Sequence, residues 1–368
     1  MRPEAWRDVA PEDWNDWRWQ VRNAVTDAEG LAAHIPLSRL RRAGLDGLLS
    51  QFRMSITPYF MSLIDVDDRN CPIARQCIPE ADELELHEGC CADPLEEDRF
   101  TPVEGIVHKY PDRALLIYSK KCAVYCRHCT RRRFVGEDEH RMGSTQIDRA
   151  IRYIESTPAI RDVLITGGDP LLYSDSFVES IISRVRSIEH VEIIRIGTRV
   201  PVSVPMRVTD DLVAMLRKYH PIWINTHFNH PGEITPESIE ACRKIVDAGI
   251  PLGSQTVLLR GVNDNVDTLR ELFTKLVKAR VRPYYLYQCD AVQGIGHFRT
   301  RIEEGVSLIR QLRGTISGFA MPTFVVDTPS GKIPVLPQYP LDGSDEHLVP
   351  PDFQGRESLP RSPIEKKE

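Results

Sequence analysis

From residue 114 the chain alternates short apolar runs with amphipathic ones, at strand-to-strand intervals of roughly 30 residues. This rhythm constrains the fold more than any other feature. One strand and one helix fill such an interval, and right-handed crossovers then force the strands parallel. Strands are expected over 114–119, 162–166, 191–197, 222–227, 252–259 and 283–288. Helices are expected over 146–155, 176–188, 209–218, 236–248 and 266–279. Six such units make an α/β protein, a partial (βα)6 TIM-like barrel that need not close into the eightfold form. A further strand candidate covers 322–327.

Around this barrel the chain divides by composition. Residues 1–105 read as a helical N-terminal extension, 106–300 as the barrel, 301–340 as a C-terminal segment and 341–368 as a short disordered tail, Pro-rich and charged. Four of the five tryptophans fall in the first 19 residues, and Trp14, Trp17 and Val21 share a helical stripe suited to packing on the main body. Pro and acidic residues gather over 79–98, as in an extended connector.

The formal net charge of −6 leaves no global basic footprint for nucleic acid or an anionic membrane. No apolar run approaches the roughly 18–20 residues of a membrane helix, and the first residues have no secretory pattern, so a cytoplasmic setting is expected. In a reducing compartment, nine cysteines are expected to serve metal or catalytic roles rather than disulfides. Cys71, Cys77, Cys90, Cys91, Cys242 and Cys289 are scattered; Cys242 and Cys289 read as small buried hydrophobes. The Cys90-Cys91 pair has no second pair at zinc-finger spacing.

In a barrel of this kind, chemistry gathers at the C-terminal ends of the strands. Here those ends read Ser119-Lys-Lys-Cys, Thr166-Gly-Gly-Asp-Pro, Gly197-Thr-Arg, Asn225-Thr-His and Gln288-Cys-Asp. After the first strand, Cys122, Cys126 and Cys129 form a C-x3-C-x2-C element. Tetrahedral zinc needs a fourth ligand, and His128 lies too close to its neighbours to chelate comfortably. Three thiolates with no fourth point to a 4Fe-4S cubane in which one iron is left to an external ligand.

This spacing, with aromatic His128 before the last cysteine, resembles the signature of the radical S-adenosylmethionine superfamily. Gly167-Gly168-Asp169-Pro170 resembles its GGEP motif, which implies that Gly167, Gly168 and Asp169 line the S-adenosylmethionine site. Glycines at such a place let backbone approach a ligand closely. More specific runs resemble the lysine 2,3-aminomutase family: Cys126-Arg-His-Cys-Thr-Arg-Arg-Arg-Phe134, Asn225-Thr-His-Phe-Asn-His-Pro231, Arg282-Pro-Tyr-Tyr-Leu-Tyr-Gln-Cys-Asp290 and Pro322-Thr-Phe-Val-Val-Asp327. Asp13-Trp-Asn-Asp-Trp-Arg-Trp-Gln20 agrees with them, and the likeness runs from about residue 8 to about 340.

The resemblance implies pyridoxal phosphate, linked to Lys332 in a Ser-Gly-Lys turn, with Lys109, Tyr110 and Arg113 holding its phosphate before the first strand. Position 109 carries Lys where the family carries Arg. The resemblance further implies that Arg131 clamps the substrate carboxylate, while Asp290 and Asp327 hold the far ammonium of L-lysine; Arg132 and Arg133 read as structural. Two carboxylates facing one pocket repel unless a cation lies between them. Relatives that use glutamate carry non-acidic residues at these two positions, so an anionic substrate is disfavoured, whereas arginine remains open.

The implied reaction moves nitrogen from C2 to C3 after an adenosyl radical takes a C3 hydrogen. It brings an electron donor such as flavodoxin or ferredoxin, and a homo-oligomer. Relatives carry a C-terminal zinc segment, but no cysteine follows Cys289, so zinc is not predicted. A radical enzyme without pyridoxal phosphate and a zinc-stabilised binding protein are the more distant alternatives.

Overall fold

Among the described residues, one sheet of nine strands, hydrogen-bonded in sequence order, organises the chain. The computed structural model describes residues 6–35, 45–136 and 141–336; the tail read over 341–368 lies outside them. The strands are β1 (Ile106–Tyr110), β2 (Arg113–Ser119), β3 (Asp162–Gly167), β4 (Ile193–Gly197), β5 (Ile222–Thr226), β6 (Leu252–Leu258), β7 (Arg282–Gln288), β8 (Thr323–Thr328) and β9 (Gly331–Pro334). β2 to β8 run parallel. β1 and β9 pair antiparallel with the two outermost members of that set.

All six expected strands are present, and 322–327 becomes the seventh parallel one. Two strands escaped the sequence reading. Ile-Val-His-Lys-Tyr shows no apolar–polar alternation, and Gly-Lys-Ile-Pro has only four residues in which a period of two could show. Lys109 and Tyr110, expected to precede the first strand, lie on β1, an additional strand ahead of it, and Arg113 opens β2. Lys332 lies on β9, opposite Asp327, and not in the turn that precedes it. Because β8 and β9 continue the sheet, the segment beyond residue 300 forms the barrel's closing edge.

Helices Ser144–Glu155, Asp175–Arg186, Asp210–Arg217, Pro236–Asp247, Val266–Lys278 and Ile302–Leu312 fill the crossovers. Their starts are written locally. Ser174, Thr209, Thr235 and Asn265 each accept from the backbone N–H three residues on, a cap worth about 1 kcal/mol. Each helix then turns an apolar stripe to the sheet, such as Ile147, Ala150, Ile151 and Ile154 in the first.

The strands alternate accordingly. On β6, Leu252, Ser254, Thr256 and Leu258 are buried, while Gly253, Gln255 and Val257 are less so. The helix-facing side is the packed one, and the inner side stays partly open. On β7 the register with β6 slips between Pro283 and Tyr285, so Tyr284 is an extra residue. Tyr284 and Tyr285 consequently stack, ring centroids 3.9 Å apart.

The sheet curls until its edges touch through side chains. The Lys109 ammonium on β1 donates to the Thr328 carbonyl on β8. The Tyr110 hydroxyl accepts from the Lys332 backbone N–H at 2.8 Å. The N-terminal extension joins the same core: Trp14 and Trp17 are buried in it, as their shared stripe suggests. They sit on two short helices, Pro11–Trp14 and Trp17–Arg22, because Asp16 between them caps the second.

Helix Ile302–Leu312 carries Gly305 where a Cβ would stand 2.3 Å from the Phe324 ring of β8. In an open helix Gly→Ala gains about 1 kcal/mol, but here overpacking reverses the sign. Gly305→Ala is expected to lower unfolding free energy by about 1–3 kcal/mol. Urea denaturation of the variant against the parent measures it.

Candidate active site

The loop between β2 and the first barrel helix holds Cys122, Cys126 and Cys129, all unbonded and partly exposed. A tight turn brings the last two together, the Cys129 N–H donating to the Cys126 carbonyl at 3.1 Å. Burial and the mutual presence of the other sulfurs push the thiols of Cys122 and Cys129 up, the latter to about 11. A cation answers this: Arg199, after β4, donates from Nη1 to the Cys126 sulfur at 2.6 Å. Among the described residues no three Cys, His, Asp or Glu side chains stand as the shell of one metal ion. Ligands of a cubane bind different irons and need no such convergence.

Two backbone contacts fix this loop to β3. The Gly168 N–H donates to the Ser119 carbonyl at 2.6 Å, and that of Asp169 to the Lys121 carbonyl at 2.7 Å. A Cβ on Gly168 would stand 2.5 Å from the Lys121 oxygen, and one on Gly167 the same distance from that of Ser119. Gly167 also has a φ of +128°, which side chains rarely adopt. The close approach these glycines permit is in part to the cysteine loop itself, which seats the end of β3 against it. Asp169 is likewise held from within the chain. Its buried carboxylate accepts from Thr198 Oγ1 at 2.7 and 2.8 Å, Leu171 N at 3.1 Å and Arg199 N at 2.8 Å. It joins the ends of β3 and β4.

The arginines of the loop have partners that the sequence reading missed. Glu83, with no exposed side-chain surface, takes Arg127 at Nη2 and Arg132 at Nη2, both at 2.5 Å. Arg131 engages Glu97 through Nε at 3.0 Å and Nη2 at 2.5 Å. Arg133 pairs with Asp98 and Asp93. The acidic stretch read as a connector is thus the counter-charge of the cysteine loop. Burial raises the Glu83 and Glu97 carboxyls, but the guanidiniums prevail and hold both below the usual range. The fork of Arg131, expected to meet a substrate carboxylate, is occupied by Glu97; only Nη1 lacks a partner among the described residues.

Behind the loop lies a polar hub. Arg199 Nη2 donates to Gln76 at 2.7 Å and to buried Glu233 at 2.6 Å. Asn229 donates to Gln76 at 3.0 Å and sits 3.1 Å from His128 Nε2. Burial, then Arg199, keeps His128 neutral. With Nε2 accepting from Asn229, its proton is on Nδ1, which is buried without a partner, as is Arg199 Nε. Unmet buried donors beside three thiols fit a polar ligand bound over the cluster position. His227, after β5, is pulled down to about 4 by burial, Arg199 and Arg131. Nothing local singles out Gln76; Arg199 and His227 are visible only as strand ends, and Asn229 only as a member of the Asn225–Pro231 run.

Across the barrel mouth, Asp290 follows β7 and Asp327 ends β8. Thr130 donates to Asp290 Oδ2 at 2.6 Å. Lack of water and then the charge of Asp327 push Asp290 up to about 6. The two carboxylates stand at the C-terminal ends of adjacent parallel strands. Lys332 Nζ contacts Asp327 Oδ2 at 2.5 Å and stands 5.6 Å from the Tyr287 ring. Lys109 Nζ is 3.8 Å from Asp327 Oδ1. A primary amine flanked by a second cation and Tyr110 fits an aldehyde cofactor bearing an anion. Arg113 stacks over Tyr110, 4.1 Å from its centroid, and adds charge to that edge.

Comparison with known proteins places this geometry. Residues 116–273 match the sequence model of the radical SAM superfamily, which defines the chain as a radical SAM protein. Residues 309–365 match the C-terminal model described as lysine-2,3-aminomutase. L-lysine 2,3-aminomutase of Clostridium subterminale is 53% identical over 356 residues, 96% of this chain and 86% of that one. The Bacillus subtilis enzyme of the same name is 48% identical, covering 96% of this chain and 75% of its own. Glutamate 2,3-aminomutase of Clostridioides difficile is 43% identical over 94% of this chain and 82% of its own. The chain belongs to the lysine 2,3-aminomutase family, a family of isomerases. No helix among the described residues is long and apolar enough to cross a membrane.

Removing Glu83 leaves two buried guanidiniums without their anion. Glu83→Ala is expected to cost about 3–5 kcal/mol and to loosen the cysteine loop. Denaturant unfolding, with iron content after anaerobic reconstitution, tests both consequences.

Proposed function

We propose that this protein is a 2,3-aminomutase that moves the α-amino group of L-lysine to C3, giving L-β-lysine. Cys122, Cys126 and Cys129 hold a 4Fe-4S cluster, with S-adenosylmethionine beside His128 and the loop of Gly167, Gly168 and Asp169. Lys332 carries pyridoxal phosphate, with Lys109, Tyr110 and Arg113 toward its phosphate. The observation that carries the substrate assignment is the pair Asp290 and Asp327, two carboxylates at the C-terminal ends of the neighbouring strands β7 and β8. Similarity to two L-lysine 2,3-aminomutases supports it.

When bound, the cluster with S-adenosylmethionine supplies an organic radical, and pyridoxal phosphate supplies the conjugated system on which nitrogen migrates. The chain's own work is placement. Asp290 and Asp327 receive the far ammonium, and the Thr130 hydroxyl orients Asp290. Arg131, held rigid by Glu97, presents Nη1 to the substrate carboxylate. Fixing an amino acid at both ends sets which carbon faces the radical source, and such positioning is a large part of catalysis. An anionic side chain would meet two carboxylates, which disfavours glutamate although one relative uses it. A low-potential donor such as flavodoxin or ferredoxin, a homo-oligomer and a cytoplasmic setting belong to the same reading.

Anaerobic turnover with lysine, arginine and glutamate tests the assignment. β-Lysine as the dominant product is expected; β-arginine formed faster would reassign the substrate, and no β-amino acid would overturn the reading. The pH profile tests the pair. Since kcat/KM reports the free enzyme's ionisations, it is expected to fall as pH drops through about 6, where Asp290 takes up a proton. Asp290→Asn is expected to lose that inflexion. It should also lower kcat/KM for lysine roughly ten- to hundredfold, as expected for loss of a charged contact.

A further inference from the structure

We infer that Asp327 governs the capture of the aldehyde cofactor by holding Lys332 as an ammonium ion. It is a positioning residue for the lysine before it serves the substrate. The inference rests on the assignment of Lys332 made above and adds to Asp327 a second role.

The geometry is fixed by the sheet. Asp327 and Lys332 are directly opposed partners in the antiparallel β8–β9 pair. Their side chains meet at Asp327 Oδ2, where the carboxylate is only 10% exposed and the lysine 35%. The contact is therefore partly shielded from water and stronger than a surface ion pair. The other carboxylate oxygen is buried without a hydrogen bond, with Lys109 Nζ 3.8 Å away.

The charged and titratable groups around Lys332 come from three strands and one loop. β1 contributes Lys109 and Tyr110, β7 contributes Tyr285 and Tyr287, Asp290 follows β7, and Asp327 ends β8. Burial raises both β7 tyrosines, so they stay neutral at ordinary pH. Asp290 is itself poised near 6. Asp327 is thus the anion in contact with the lysine.

Capture requires the opposite charge state. The nitrogen lone pair attacks the aldehyde carbon, a C=N bond forms, and the carbonyl oxygen departs as water. An ammonium has no lone pair, so its proton must first go to solvent. An anion against the ammonium favours the unreactive form. Once the nitrogen is bonded to the cofactor carbon, Asp327 is released to the ammonium of the incoming amino acid. One carboxylate serves two cations in succession.

The test follows the visible absorption of the imine formed with pyridoxal phosphate, as a function of pH, in the full-length protein with its cluster reconstituted. Substrate is omitted. Asp327→Asn is expected to move the midpoint of imine formation to lower pH, while Asp327→Glu stays near the parent. A midpoint lower by one pH unit corresponds to about tenfold more neutral amine at any pH well below it. Lys109→Met removes a competing cation and is expected to move the midpoint the other way; measured with pyridoxal, which lacks the phosphate that Lys109 is placed to meet, it decides the matter if Asp327→Asn does not fold. Midpoints unmoved in these variants would overturn the inference and leave the aminomutase reading intact. No imine in the parent, or an imine that survives Lys332→Ala, would overturn the Lys332 assignment and the inference with it.

Discussion

A carboxylate with no exposed surface, Glu83, holds two guanidiniums of the cysteine loop, Arg127 and Arg132. Much of the candidate site depends on this contact. Residues 122–133, with four arginines and three cysteines, cannot be buried at a barrel mouth unless their charge is met. The N-terminal extension meets it, residue by residue, from Glu83 to Asp98. What looks like a flanking segment is therefore part of the site's foundation.

A second layer of support is neutral and backbone-made. Gly167 and Gly168 let the end of β3 close on residues 119–121, and Asp169 ties that end to the start of the β4 loop. From the same β4 loop, Arg199 reaches back to Cys126. Three consecutive strand ends are thereby locked into one unit. Hydrogen bonds to a ligating sulfur are among the means by which a protein tunes an iron–sulfur centre. With the proposed cluster bound, the Arg199 contact to Cys126 would add such tuning to its mechanical support.

At the far side the seam between β1 and β9 brings Lys109, Tyr110 and Lys332 together, although more than 200 residues separate them along the chain. Edge strands commonly need protection from pairing with other chains. Here the curl of the sheet turns both edges toward one another, and the same act assembles the amine and the carboxylates. Closure and chemistry are the same structural event.

Much of the barrel was legible in the sequence, because a period of two, a period of 3.6 and capping residues act locally. The parallel strands, their helices, the cysteine triad and the strand-end placement of Asp290 and Asp327 all follow from that. β1 and β9 were not legible, the one having no alternation and the other only four residues, so Lys109, Tyr110 and Lys332 were not seen as strand residues. The partners of the arginines were not legible either. A surplus of positive charge in a buried loop demands acids, but it does not say which. Only the tertiary structure chose Glu83, Glu97 and Asp98, occupied the fork of Arg131, engaged Asp169 and set Lys332 against Asp327. The reason is physical: sequence records how each segment folds by itself, whereas the pairing of buried charges is decided by which segments the folded chain brings within a few ångströms.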